Sequence, residues 1–289
     1  MDDKGVAKKL YNEIEKYDDS NGELVAWVRI PILSGDMDTT FFMYYGNPGC
    51  SSQQLPNKVW DSNFIHIWHL GDDLCDVAGS NDGTNHRTSI VSGKVGNARD
   101  FEQSEQDFID LGDMDQPADG SLTTITWEAW IKPEIQDQHI MTKYNSLGGS
   151  YSSYYIAFVS GGKIRFCAYA AAGVRTNSVT ENSYSTVGQW SYLTSTLNLG
   201  GTNDIDIFVD GDEVAVSLLE SSANFIRNLP DTDDIGRYRP EVGTKYSDAV
   251  IDEVRWSKVV RSDDWIKTSF NTMNDLTSFF SVGSEESAP

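Results

Sequence analysis

The chain has 289 residues, 22 Lys and Arg against 44 Asp and Glu, and a formal charge of −22. That balance works against nucleic acid, whose binding rests on cations meeting phosphates, and against anionic membrane surfaces. No apolar run is long enough to span a bilayer, and the opening MDDKGVAKKL lacks the apolar core of a signal peptide.

Residues 1–20 are polar, and Val6–Tyr17 reads as one short amphipathic helix or an irregular lead-in. Leu24–Leu33 and Thr39–Tyr45 are strand-like, separated by the turn-forming SGDMD, and NPGCSSQQLP then breaks the chain with Pro and Gly. From Phe64 onward, short strands alternate with turns at the spacing of an antiparallel sandwich. The predicted strands are Phe64–Leu70, Phe108–Leu111, Thr124–Pro133, His139–Lys143, Tyr154–Ser160, Lys163–Ala170, Arg175–Val179, Trp190–Asn198, Ile205–Val209, Glu213–Ser217 and Val250–Ser257. Val159–Lys163 reads as a tight hairpin turn. Asp210-Gly211 reads as a second, since Asp-Gly favours the positive φ of a type I′ turn. Past the last strand, Ser262 suits a helix N-cap, Asp263 and Asp264 suit the first turn, and Trp265, Ile266 and Phe270 supply an apolar stripe.

In the last strand, simple alternation puts Val250, Asp252, Val254 and Trp256 on one side and Ile251, Glu253 and Arg255 on the other. Asp252 then faces the interior and needs a cation, an Arg or several backbone N–H donors. Arg255 is predicted to point away from it. Of the three cysteines, Cys50 and Cys75 lie in turn-like surroundings where a bond is one option, and Cys167 reads as a small buried hydrophobe.

Four stretches fall in a telling order: IWHLGDD with DVAGSNDGT (67–84), ARDFEQSEQDFIDLGD (98–113) with TTITWEAWIKP (123–133), DIDIFVDGDEVA (204–215), and IDEVRWSKVVRSDDWIK (251–267). Together they resemble LamG-type modules, the concanavalin A-like lectin–glucanase jelly rolls, over roughly residues 61–283. The run from ELVAWVRIP to MYYGNP resembles the end of an uncharacterised β domain that often precedes such modules. The resemblance implies an all-β, antiparallel two-sheet sandwich, or jelly roll, with a short C-terminal helix. A small N-terminal β appendage over 1–60 would precede it, either a truncated module or strands completing the sandwich, and a disordered tail over 284–289 would follow. It also implies a secreted or cell-surface protein, of which this chain is one part of a larger multidomain whole.

Three kinds of chemistry come into question. Calcium takes carboxylate and carbonyl oxygens, and the loop Gly71–Asp82 supplies Asp72, Asp73, Asp76 and Asp82. The resemblance implies a structural calcium linking opening and closing strands, with Asp72 and Asp252 as the matching positions. The second acidic run, Asp231–Asp234, reads as plain surface. Sugars are held by aromatic faces and planar polar groups, which Tyr144, Tyr151 and Tyr154 in YNSLGGSYSSYY supply together with Arg165 and Tyr169. The competing account is that these tyrosines pack the rim of half-buried strands.

Glycoside hydrolysis needs two flanking carboxylates. Asp204–Asp210 superficially resembles the acid-alternating strand of laminarinase-type hydrolases, but the glutamates of that family are missing. Glu128 and His139 are the weak catalytic candidates. His66 and His69 lie on opposite faces of a strand and read as structural. The combined expectation is an extracellular carbohydrate-binding or adhesion module for a polysaccharide or cell-surface glycan, stabilised by calcium. A polysaccharide hydrolase or lyase on the same fold, or a structural assembly domain, are the alternatives.

Overall fold

In the computed structural model, which describes residues 8–114, 122–144, 152–201, 204–239 and 243–286, Asn12–Asp18 is a strand, where a helix or an irregular lead-in up to Tyr17 was expected. The chain divides into two units, Met1–Ser62 and Asn63–Pro289. In the first, Asn12–Asp18 pairs antiparallel with Glu23–Val28. The short helix Pro56–Val59 is followed by Trp60, whose ring lies 5.3 Å from Trp27. Both indoles donate to acids of the first strand: Trp27 to Glu15 at 2.7 Å and Trp60 to Glu13 at 2.9 Å. Thr39–Tyr45, predicted as a strand, is irregular, and Phe42 and Tyr44 are exposed. A strand is stabilised by a neighbour to pair with, and no such pairing reaches this run among the described residues.

The second unit consists chiefly of two antiparallel sheets face to face. Among the described residues, one runs Val216–Ser221, Val174–Thr180, Lys163–Ala171, Ser152–Val159, Gln138–Tyr144, Asp233–Ile235, Phe108–Asp110 and Thr84–His86. The other runs Asp212–Val214, Asp204–Val209, Ser191–Asn198, Thr124–Pro133, Ala249–Ser257, Asn97–Phe101 and Ser89–Ser92, with Phe64–Trp68 also paired to Ala249–Ser257. Alternate residues of both sheets meet in a core that includes Trp68, Phe101, Trp127, Phe158, Phe166 and Trp256. The architecture is the expected sandwich. The hairpin turns form as read, with Asp210 at φ 54 and Gly211 at φ 79. All three cysteines are free thiols, so the optional Cys50–Cys75 bond is not made.

Ser262 caps the helix Asp263–Asn274 by accepting the Trp265 N–H at 3.3 Å. The helix lies on the outer face of the second sheet, where Phe270 stacks on Trp130 at 5.7 Å and Met273 receives the Trp130 indole N–H at 3.4 Å.

The closing strand Ala249–Ser257 departs from simple alternation. Its first half pairs with Asn97–Phe101 and its second with Phe64–Trp68. Between them the register against Thr124–Pro133 shifts, and Glu253 takes a left-handed φ of 54. The bulge reverses the parity. Ile251, Val254 and Trp256 enter the core, while Asp252 stands opposite Trp130 and Arg255 opposite Glu128 on the helix-covered side. The predicted grouping of Asp252 with Val254 and Trp256, and the predicted separation of Asp252 from Arg255, are both corrected by this one residue.

Asp231–Asp234 is not plain surface either. Asp233 is fully buried between the sheets, 3.0 Å from the equally buried Lys143 Nζ, and it accepts the Tyr154 hydroxyl and the Met114 N–H. Lys143 also meets Asp113 at 2.6 Å. Burial pushes the Asp233 carboxyl up to about 6, against the pull of Lys143 and Tyr154. Removing one partner of a buried pair strands the other charge, so Asp233→Ala should cost about 3 kcal/mol of stability. Urea unfolding checks this; a loss below about 1 kcal/mol would place the pair in water rather than in the core.

Candidate functional site

The helix-covered face holds a closed charged network. Glu128 is fully buried, and Tyr192 donates to its Oε1 at 2.6 Å. Burial raises its carboxyl pKa, and Arg255 opposes that rise. Arg255 donates to Glu253 Oε2 at 2.6 Å, and Glu253 Oε1 lies 2.7 Å from His69 Nδ1. Glu128, the acid read as a weak catalytic candidate, is thus fully buried within this network. His66 lies 2.6 Å from Asp76, within the loop that binds the chain to itself. Burial alone would raise the Asp76 carboxyl, but the hydrogen bond and charge of His66 hold it below its ordinary value.

The two acids expected to hold calcium both border the turn 93–97. Asp252 is fully buried, and its Oδ2 accepts the Lys94 and Val95 N–H groups at 2.8 and 2.9 Å. Asp72 Oδ1 accepts the Asn97 side-chain amide at 2.7 Å. These N–H donors meet much of the charge, and two carboxylates alone supply too few oxygens for a calcium shell. Elsewhere on this sheet, Asp100, Glu102 and Glu134 bring ligating oxygens within 4.8 Å of one another, a grouping the sequence did not suggest.

The outer face of the other sheet is different, since the helix Asp263–Asn274 lies on the second sheet instead. Strand alternation sends Tyr154, Ile156 and Phe158 inward, so Tyr155 and Ala157 point out. Tyr154 is therefore corrected from ligand contact to core: it is fully buried, edge-on to Trp256 at 4.6 Å. The side chain of Tyr144 and the whole of Tyr151 lie outside the described residues. Arg165 and Tyr169 do alternate outward, flanking Cys167.

Register then builds rows across this face. Tyr155 stands between Thr142 and Cys167, and Cys167 stands opposite Asn177. Ala157 stands between His139 and Arg165. His139 stacks on Tyr238 at 4.0 Å, with Tyr155 5.5 Å away. At the far side Arg175 donates to Tyr169 at 3.3 Å and forks onto Glu220. Burial pushes the Tyr169 hydroxyl up to about 12 and the Cys167 thiol up to about 11, so both stay protonated. The sequence reading missed the His139–Tyr238 stack and the outward turn of Tyr155. Period-two alternation through SSYYIAFV carried the second signal; nothing local carried the first, since 98 residues of chain lie between His139 and Tyr238.

Residues 104–267, more than half of the chain, match the family model described as the concanavalin A-like lectin/glucanases superfamily. Residues 2–72 match a domain of unknown function, DUF2341. No curated protein sequence matches. The binding domain of Paraclostridial Mosquitocidal Protein 1 superposes with a TM-score of 0.57 at 14% identity, over 73% of this chain and 52% of that one. Domain 4 of AbnA, a GH43 extracellular arabinanase from Geobacillus stearothermophilus solved with arabinotriose, gives 0.54 at 16% identity, over 71% and 97%. The receptor binding domain of botulinum neurotoxin C/D mosaic serotype gives 0.54 at 13% identity, over 73% and 51%. The chain thus spans about half the length of the two toxin domains it matches. At these identities the likeness is one of fold.

Burial, with Lys245 and Arg165 nearby, pushes the His139 imidazole down to about 4. A ring so depressed in the folded state resists the proton that the unfolded chain accepts near its ordinary pKa of about 6.5, so stability falls as pH drops from about 6.5 towards 4. An NMR titration should find the His139 ring neutral until about pH 4. A midpoint near 6.5 would mean the stacked ring is open to solvent.

Proposed function

Because the chain belongs to the concanavalin A-like lectin/glucanases superfamily, we propose that it is a carbohydrate-binding module whose ligand lies on the outer face of the sheet opposite the one that carries the helix Asp263–Asn274. One observation carries this reading: Tyr155, Tyr169, the His139–Tyr238 stack and two arginines gather on one face from strands far apart in sequence. Such flat rings beside forked donors suit a sugar, which offers an apolar face and a rim of hydroxyls. The fold is shared with the domain of AbnA solved in complex with arabinotriose, which supports the reading without fixing the sugar. The same proposal places the module outside the cell, as the binding part of a longer chain.

A glycan array followed by titration of the best ligand tests it. Tyr155→Ala and Tyr169→Ala should each weaken binding about tenfold, about 1.4 kcal/mol, with the circular dichroism spectrum unchanged. Tight binding by both variants would discard this face. On the reading of a binding module, reducing sugar should not accumulate during the assay.

Calcium is a separate proposal, in which Asp72 and Asp252 beside one turn would need carbonyl or water oxygens to complete the shell. Bound only in the fold, it would stabilise by mass action, so EDTA should lower the melting temperature by several degrees. An unchanged transition removes it.

A further inference from the structure

The cations of the open face are not all neutralised. Arg175 is held by Glu220, Arg237 by Asp234, and Arg239 by Asp231 and Asp234. Arg165 and Lys245 have no carboxylate at ion-pair distance among the described residues, although the chain carries twice as many acids as bases. The Arg165 Nε is buried and finds no acceptor among the described residues. Arg165 is half-buried overall, and its charge also acts on Tyr155 and on Glu220.

Both cations bear on the same spot. Arg165 is separated from His139 only by the short Ala157 between their strands. Lys245 stands opposite Tyr238, whose ring lies flat on His139 at 4.0 Å. Their combined positive field contributes to keeping His139 unprotonated. The imidazole adds no charge of its own there and leaves a flat, apolar-faced stack between two cations.

Resting on the glycan-binding reading above, we infer that the ligand is an acidic glycan, its sugar carboxylate held by Arg165 and Lys245 over the His139–Tyr238 stack. The guanidinium fork matches a planar carboxylate in two parallel hydrogen bonds, which a neutral hydroxyl cannot reproduce. Lys245, exposed, supplies a point charge at the rim. The net charge of −22 repels polyanions as a whole, so retention of one must come from a local site rather than from bulk attraction.

Affinity electrophoresis of the whole chain tests this, in gels carrying polygalacturonate, alginate or hyaluronan, each paired with its methyl-esterified form and with a sulfated polymer. The expected result is retardation by at least one carboxylated polymer, loss of that retardation on esterification, and about tenfold weaker binding for Arg165→Gln and for Lys245→Gln. Tyr155→Ala should weaken it as well. Equal retention of esterified or neutral polymers, preference for the sulfated one, or full binding by Arg165→Gln would overturn the acidic-sugar assignment and leave glycan binding standing. Retention of no polymer here and of no glycan on the array would bring down both.

Discussion

The fold turns on one strand that must serve two neighbours. Ala249–Ser257 runs beside Thr124–Pro133 throughout, while its other edge passes from Asn97–Phe101 to Phe64–Trp68. At the changeover the backbone has N–H groups to satisfy and no continuous partner to satisfy them. Asp252 answers this by taking two N–H groups of the turn 93–97 on one oxygen, and the bulge at Glu253 resets the side chains beyond it. A carboxylate with several N–H donors keeps its charge in the interior at tolerable cost. Gly93 is required for the fit, since a Cβ there would come within 2.6 Å of that carboxylate. Acid, glycine and bulge are three parts of one joint.

The joint also explains why the two outward faces differ. With parity reset, Arg255 comes to lie opposite Glu128, and with Tyr192, Glu253 and His69 it forms a network that needs exclusion from water to hold its geometry. The helix Asp263–Asn274 supplies that exclusion by laying Phe270 and Met273 on Trp130. On the opposite sheet the outward row is also largely buried at Tyr169, Cys167 and Ala157, while Tyr155 and Arg165 are half-buried. Similar residue types thus make a buried ion network on one side and a row of rings and guanidinium groups on the other.

Much of this was legible in the chain itself. Thr124–Pro133 and Lys163–Ala171 follow their alternation almost residue for residue, and Asp210-Gly211 and Ser262 form the turn and cap their chemistry favours. What failed was non-local. Thr39–Tyr45 has strand-forming residues, but whether a strand forms depends on a neighbour elsewhere in the chain. Asp233 sits in a run that looks like solvated acid, and only the cross-strand position of Lys143 explains its burial. The parity slip at Glu253 rests on a single left-handed residue that is not glycine, for which composition gives no warning. Among the tyrosines, face assignment needed the register, which sends Tyr154 to the core and its neighbour outward.

The pairing of Phe64 with Ser257 has a consequence for how such a module can be used. Adjacent antiparallel strands lie about 5 Å apart, so the module's chain enters and leaves its sheet at almost the same spot. A unit built this way can be threaded into a surface loop of a host, or strung in tandem with others, while the host's own path is scarcely displaced. The helix Asp263–Asn274 has to travel with such a unit, since it lies on Trp130 of the same sheet.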